Sequence, residues 1–213
     1  MKLHHLILGP LAVNCYVIET NEKNAVAVDI GGNYDKLKKL LLDNNLKLKK
    51  ILLTHGHFDH FGGVSAAVCD TGAEVYIHIS DAHMLTSRED SLAEYITVGP
   101  FFPVKEFKTI EDGDIITIDE LEFRVLNTPG HTKGGVCYVC NDCIFTGDTL
   151  FSLSMGRTDF PGGSPVEMHK SLLRLAEINE DLKVYPGHNT SSTLSYEKRN
   201  NPYMKENPYE DLI

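Results

Sequence analysis

Hydrophobic positions along this chain fall into two rhythms, one of strands and one of helices. Asn14-Cys15-Tyr16-Val17-Ile18-Glu19-Thr20 reads as a strand, and a polar turn over 21–24 follows it. Ala25-Val26-Ala27-Val28-Asp29-Ile30 is the next strand, closed by Gly31-Gly32. From Tyr34 to Asn45 the leucines at 37, 40, 41 and 42, set among lysines, predict an amphipathic helix. Lys50 to Thr54 is a short apolar strand, and a helix is expected to begin over Phe61 to Val68. A strand at Glu74 to Ile79 runs into a short helix near Ser80 to Thr86. Ser87 to Pro103 breaks the rhythm and ends Gly-Pro-Phe-Phe-Pro, a segment read as core or as a wall or lid beside a site.

The second half repeats the first in kind. Strands are expected at 115–118, 121–126, 136–139 and 143–146, the last two joined by a tight turn at Asn141-Asp142. A helix from Ser164 to Ile178, a strand at Lys183 to Tyr185 and a polar C-terminal helix complete the chain. No linker or short-period repeat interrupts the 213 residues. Two sets of strands, each followed by helices, predict two sheets packed face to face with helices outside, in one domain over 1–213.

Composition narrows the function. The formal charge of −10, from 20 basic and 30 acidic residues, argues against a nucleic-acid partner, because no basic surplus is available to release counterions. No segment approaches a membrane span, and the apolar run near the start is too short for a signal peptide. A cytoplasmic protein is expected. The five cysteines form no disulfide framework. Cys137 and Cys140 share one predicted strand at an odd separation, which puts them on opposite faces. Buried thiols are expected there rather than a metal or redox site.

The chemistry gathers at Thr54-His55-Gly56-His57-Phe58-Asp59-His60, on a turn between a strand and a helix. His55 and His57 are two apart, so in an extended turn both rings can point one way. Asp59 and His60 follow too closely to complete a single tetrahedron with them, which implies two adjacent ions. Imidazole and carboxylate suit zinc, with iron or manganese as alternatives. The plain alternative is a solvated histidine loop. Three later segments weigh against it, each an apolar strand and a glycine turn leading to a ligand-type residue: His131, Asp148 and His188. If these strands end at one rim, His55, His57 and His131 hold one ion, Asp59, His60 and His188 the other, and Asp148 bridges them. Asp29, at its strand's end without a neighbouring ligand, is expected to support the metal loop from behind.

Thr-His-x-His-x-Asp-His followed by His, Asp and His after successive strands resembles the metallo-β-lactamase fold superfamily. Thr128-Pro129-Gly130-His131-Thr132, Val136-Cys137-Tyr138-Val139 and Phe145-Thr146-Gly147-Asp148-Thr149-Leu150-Phe151 resemble its glyoxalase II branch. Gly156-Arg157-Thr158-Asp159-Phe160-Pro161-Gly162-Gly163 resembles the short, single-domain members of that branch. The resemblance implies an α/β fold, a four-layer αββα sandwich, with a dinuclear site at one edge. Longer members carry a C-terminal helical domain that helps bind glutathione. Only the 25 residues from Asn189 to Ile213 follow His188, so no such domain is expected here.

The expected activity is thioester hydrolysis of the hydroxyacyl-thiol type, by a hydroxide bridging two divalent ions. Asp59 would both ligate and orient that hydroxide. Lactone or β-lactam hydrolysis is the first alternative. An iron-dependent persulfide dioxygenase, which uses one iron and fewer ligands, is the second. The substrate is expected to be a small anionic acyl-thioester. Lys133, two residues past His131, and Arg157, in the loop after the Asp148 strand, are expected to hold its charge, with Tyr138 completing the substrate-binding set. The competing role for Arg157 is an ion pair with Asp159, and for Lys133 simple solvation.

Overall fold

Strands buried along their whole length are covered on both faces, and strands buried at every second residue are covered on one. In the computed structural model, which describes residues 2–96 and 100–205, both kinds occur. The first sheet holds β1 (Lys2–Leu8), β2 (Val13–Glu19), β3 (Asn24–Val28), β4 (Lys47–Leu52), β5 (Glu74–His78) and β6 (Lys108–Ile110), in that spatial order. Every residue of β2 is buried, so helices must cover one of its faces and the other sheet the second. The first three strands pair antiparallel, and β3 to β6 run parallel.

The second sheet is built from β7 (Ile115–Ile118), β8 (Leu121–Asn127), β9 (Val136–Cys140) and β10 (Cys143–Gly147), with β13 (Lys183–Pro186) and β14 (Ser192–Thr193) at its far side. A separate hairpin, β11 (Leu150–Phe151) with β12 (Ser154–Met155), projects after β10. The outer strand β7 alternates exposed and buried residues, as a strand covered on one face should. β10 is buried throughout and pairs parallel with β13.

Three apolar clusters show the layering. Tyr16, Ile18, Val26 and Leu52 of the first sheet meet Phe123, Val125, Tyr138 and Phe145 of the second in a central core. Behind the first sheet, helices α1 (Tyr34–Asp43) and α3 (Val64–Thr71) bring Leu37, Leu41, Val64 and Ala67 onto its outer face. Behind the second, α5 (Pro165–Ala176) and α6 (Leu194–Asn200) bring Met168, Leu172, Leu175 and Leu194 onto the other. The result is the expected αββα sandwich. Helix α5 starts where its residues dictate, with the Ser164 hydroxyl accepting from the Glu167 amide and Pro165 in the first turn. No helix among the described residues is long and apolar enough to cross a membrane.

Several elements depart from the hydrophobic rhythm. No strand is expected before Asn14, yet Lys2–Leu8 pairs with the whole of β2. Its histidines at 4 and 5 blur the alternation, and its register comes from the neighbour. β6 is three residues long and leaves no pattern of its own. The helix expected from Phe61 is two helices, α2 (Phe58–Phe61) and α3, broken at Gly62-Gly63 where the Gly63 amide donates to the Ile30 carbonyl. The cysteines fall as expected: Cys137 lies in the outer cluster of the second sheet, Cys140 and Cys143 in the central core.

Candidate metal centre

Parallel strands place their carboxyl ends on one edge, and that geometry assembles the site. β3 and β4 are parallel, so Asp29 and the loop that begins at Thr54 emerge together. β10 and β13 are parallel, so Asp148 and His188 do the same. β8 runs in the sense of β10, because both pair antiparallel with β9, and it delivers His131 to that edge. Hydrogen bonds stitch the two sheets there. The Val136 amide donates to the Thr54 carbonyl at 2.8 Å, and the Asn14 amide to the Gly187 carbonyl at 2.8 Å. The Tyr16 hydroxyl donates to the Pro186 carbonyl at 2.9 Å.

All seven expected ligands converge. Donor atoms of His55, His57 and His131 form one group, and those of Asp59, His60 and His188 another; within each group the atoms lie within 4.8 Å of one another. His57 Nδ1 and His131 Nε2 face each other at 2.9 Å. His188 Nε2 stands 3.4 Å from Asp59 Oδ2, and His60 Nε2 3.8 Å from the same oxygen. Asp148 lies between the groups, with Oδ1 3.4 Å from His60 Nε2 and Oδ2 3.6 Å from both His131 Nε2 and His188 Nε2. Gly187 makes this approach possible, since a Cβ there would sit 2.4 Å from Asp148 Oδ1.

The donor set fits divalent metal. His55 Nε2, His60 Nε2 and Asp148 Oδ1 are buried and have no hydrogen-bond partner, an arrangement that costs about 1–3 kcal/mol per atom unless something else occupies the space. Two ligands about 2.0–2.1 Å from a tetrahedral zinc lie about 3.3 Å apart, close to the separations seen here.

Second ring nitrogens of His60, His55 and His131 are held from behind. His60 Nδ1 pairs with Asp29 Oδ2 at 2.8 Å, and the Thr54 hydroxyl donates to the same oxygen at 2.8 Å. The Thr54 amide donates to Asp29 Oδ1, and His55 Nδ1 lies 3.1 Å from the Thr54 hydroxyl. His131 Nδ1 meets the Arg157 carbonyl at 2.7 Å. Such partners orient ligand rings and fix their tautomers. Asp29 therefore has the supporting position expected of it, and it takes a left-handed backbone, φ 54°, to do so.

Charge divides the two groups. Burial, reinforced by the neighbouring histidines, lowers His55 well below the ordinary imidazole range. Burial, then His131, takes His57 down to about 3. Burial also opposes charge on His60, but Asp29, Asp148 and Asp59 outweigh it and push the ring up to about 10. Burial would raise Asp59; His60, His188 and His57 together hold it at about 2.

Over the cluster opens a cavity of about 850 Å³ whose floor includes His57, Asp59, His131, Asp148 and His188. Its walls are mostly apolar: Leu11 from the β1–β2 turn, Phe151 and Met155 from the β11–β12 hairpin, Phe160, Leu92 and Tyr95. Leu92 and Tyr95 make part of the irregular 87–103 segment a wall, while Phe101 packs on the core against Phe58 and Phe61. Residues 97–99 of that segment lie outside the described residues.

The expected substrate-binding residues do not all reach this cavity. Arg157 lines it, but one edge of its guanidinium, Nε and Nη2, already donates to both Asp159 carboxylate oxygens at 2.7 Å, and it stacks on the Phe160 ring at 3.9 Å. Lys133 lines a smaller neighbouring cavity instead. The Tyr138 expectation is corrected. Its ring is fully buried between the sheets, where its strand position points it inward, and its hydroxyl donates to the Leu53 carbonyl at 2.8 Å. A residue outside the expected set, Asp81, touches both histidine loops from below. Its place near the start of a short helix looks like an ordinary acidic first turn, and only its position after the strand next to the metal loop hints at more.

Comparison with known proteins agrees with this geometry. The family model for the metallo-beta-lactamase superfamily matches residues 8–188. The hydroxyacylglutathione hydrolase GloC of Haemophilus influenzae is 33% identical over 197 residues, covering 90% of this chain and 92% of its own length. Among solved structures, BLEG-1, a B3 metallo-beta-lactamase, aligns with a TM-score of 0.90 at 32% identity, covering 96% of this chain and 100% of that one. TTHA1623 in a di-iron-bound form aligns with a TM-score of 0.84 at 35% identity, covering 94% and 99%.

Proposed function

The chain belongs to the metallo-β-lactamase superfamily, and from that premise we propose that it is a metal-dependent hydrolase cleaving a thioester of the hydroxyacyl-thiol type. The observation that carries the reading is the convergence of seven donors, with buried unpartnered atoms among them, on the floor of an open cavity. GloC, a hydroxyacylglutathione hydrolase similar over nearly the whole chain, supports the thioester as the bond cleaved. His55, His57 and His131 would hold one divalent ion, Asp59, His60 and His188 a second, and Asp148 would serve both. When bound, two such ions activate water at neutral pH and polarise a carbonyl. Zinc is the metal proposed; the di-iron form of TTHA1623 keeps iron in the comparison.

The chain's own residues do the rest. Asp59 is a carboxylate throughout the working pH range and borders the cavity, so it can accept a hydrogen bond from the attacking water and aim it. The apolar walls exclude bulk water around the acyl carbon and strengthen every charge interaction below. A thiolate is a good leaving group and departs without a proton donor, because a thiol's ordinary pKa is about 8.5. Arg157, at the wall, is proposed to steer an anionic end of the substrate, with its charge shared by Asp159.

Similarity to BLEG-1 favours β-lactam hydrolysis as the second reading, since the same floor could serve it. The persulfide dioxygenase alternative needs only one iron, and the Asp59–His60–His188 group counts against it. The test is metal analysis of the purified protein, together with thiol release from a panel of acyl-thioesters and ring opening of β-lactams. The expected result is two metals per chain and turnover that favours hydroxyacyl-thioesters. Ring opening faster than any thiol release would overturn the assignment.

A further inference from the structure

Asp81 is buried, 1% exposed, in the 3₁₀ segment Ile79–Thr86 that follows β5. Its two carboxylate oxygens reach two different loops. Oδ2 accepts the Gly56 amide at 3.1 Å, and Oδ1 accepts the Gly134 amide at 2.7 Å. Gly56 is the residue between His55 and His57, and Gly134 stands three residues after His131. One side chain thus ties together the two loops that supply the three histidines of the first group. No cation pairs with this carboxylate among the bonds described; the two backbone amides are its partners.

Both tied positions need glycine. A Cβ on Gly56 would meet Met84 Cβ at 2.7 Å and the Asp81 carbonyl at 3.0 Å. A Cβ on Gly134 would meet Asp81 Cγ and Oδ1 at 2.7 Å and the Asp81 amide nitrogen at 2.8 Å. The 3₁₀ segment is therefore fitted against both loops at a distance only bare backbone allows. Asp29 does the corresponding work on the other side, through Thr54 and His60. None of these contacts to Asp81 involves a ligand side chain, so its influence on the metal acts only through loop position.

We propose that Asp81 is the positioning residue of the His55–His57–His131 group, setting that group's affinity for metal while leaving the Asp59–His60–His188 group unaffected. The inference rests on the metal-centre reading above. Asp81→Asn keeps the volume but turns an amide donor onto one of the two backbone donors, which breaks one tie. Losing a partner bonded directly to a ligand typically costs about 10–100-fold in metal affinity, and a tie that acts through loop position is expected at the low end of that range.

The experiment is cobalt(II) titration of the full-length, metal-stripped protein, followed by absorption spectroscopy, in two backgrounds. His188→Ala leaves the first group to be read alone, and His131→Ala leaves the second. Asp81→Asn is expected to weaken cobalt binding at least tenfold in the His188→Ala background, with a changed spectrum. In the His131→Ala background the effect should stay under threefold. Equal weakening in both backgrounds, or none in either, would overturn the proposal. Failure of the parent protein to bind cobalt would instead remove the metal-centre reading itself. Amide hydrogen exchange in the unmutated protein gives a check that needs no variant. The Gly56 and Gly134 amides should be strongly protected in the metal-free state, and free exchange at either one would also overturn the proposal.

Discussion

The two ligand groups share one floor but differ in how the protein charges them. The first is three imidazoles: burial keeps His55 and His57 uncharged, and the ties behind His55 and His131 run to a hydroxyl and to a backbone carbonyl. The second is ringed by carboxylates, with Asp29, Asp148 and Asp59 drawing a proton onto His60. A metal entering the first group would find His55 and His57 without protons, whereas one entering the second would have to displace a proton from His60. Seven similar-looking donors thus fall into two chemically unlike groups, and the difference comes from the residues around them.

The largest effect is expected from removing Asp148, the proposed shared ligand. Asp148→Ala should lose metal from both groups and lower kcat/KM by more than about 10²-fold, beyond the usual cost of altering an outer partner. His188→Ala should empty chiefly the second group. Metal analysis of the two variants decides it, and wild-type metal content in Asp148→Ala would show that Asp148 does not bridge.

Asp29→Asn should act next most strongly, chiefly on the second group through His60 and more weakly on His55 through the Thr54 hydroxyl. It weakens the bond to His60 and leaves the Thr54 amide and hydroxyl competing for fewer acceptors. We expect metal affinity of the second group to fall about 10–100-fold. Stability should drop by about 1–3 kcal/mol from the broken buried bonds. Metal titration and denaturant melts measure the two effects separately, and equal loss of metal from both groups would contradict the division drawn above.

Titration sharpens the comparison further. In the metal-free protein His60 is raised above its unfolded value, so the stability it lends is full below about pH 6.5 and fades as pH climbs through about 10. His57 is depressed, so its contribution holds above about pH 6.5 and is lost as pH falls toward about 3. Metal affinity of the second group should therefore rise with pH across neutrality, by up to about tenfold per unit from the His60 proton. Between pH 7 and 9, protons on His55 and His57 should not compete for the first group. Metal retention against pH in the His131→Ala and His188→Ala variants reads each slope, and a flat profile for the second group would refute the difference.

The smallest effect expected is at the cavity wall. Arg157→Ala should raise KM for an anionic thioester about threefold more than for a neutral one, because Asp159 already shares the guanidinium. Lys133→Ala should do less, since Lys133 faces the neighbouring cavity. Steady-state kinetics on matched substrates checks both, and an equal change for the two substrates would remove Arg157 from substrate recognition.

Much of the fold and the donor cluster expected to hold metal can be read from local pattern. Each ligand follows an apolar strand, most of them across a glycine turn, and both strand and turn are written in a few adjacent residues. The cysteine faces follow from strand parity alone, and α5 begins at a Ser-Pro signal visible in the chain. β1 was less legible, because its place depends on the register of β2 rather than on its own alternation.

Relations between segments far apart in sequence come from the closed fold and not from local pattern. Tyr138 lies in the Val136-Cys137-Tyr138-Val139 stretch that resembles the glyoxalase II branch, yet stacking of the two sheets buries it and gives its hydroxyl to Leu53. Lys133 and His131 share one turn, but the turn sends the lysine to the neighbouring cavity. Asp81 looks like any acidic residue in a short helix until β5 is laid beside β4 and its carboxylate meets Gly56 and Gly134. The physical reason is the same in each case. A ligand's identity and its turn are set by neighbours along the backbone, but burial, hydrogen-bond partners and proton affinity are set by neighbours in space. Those neighbours exist only once the two sheets have closed on one another.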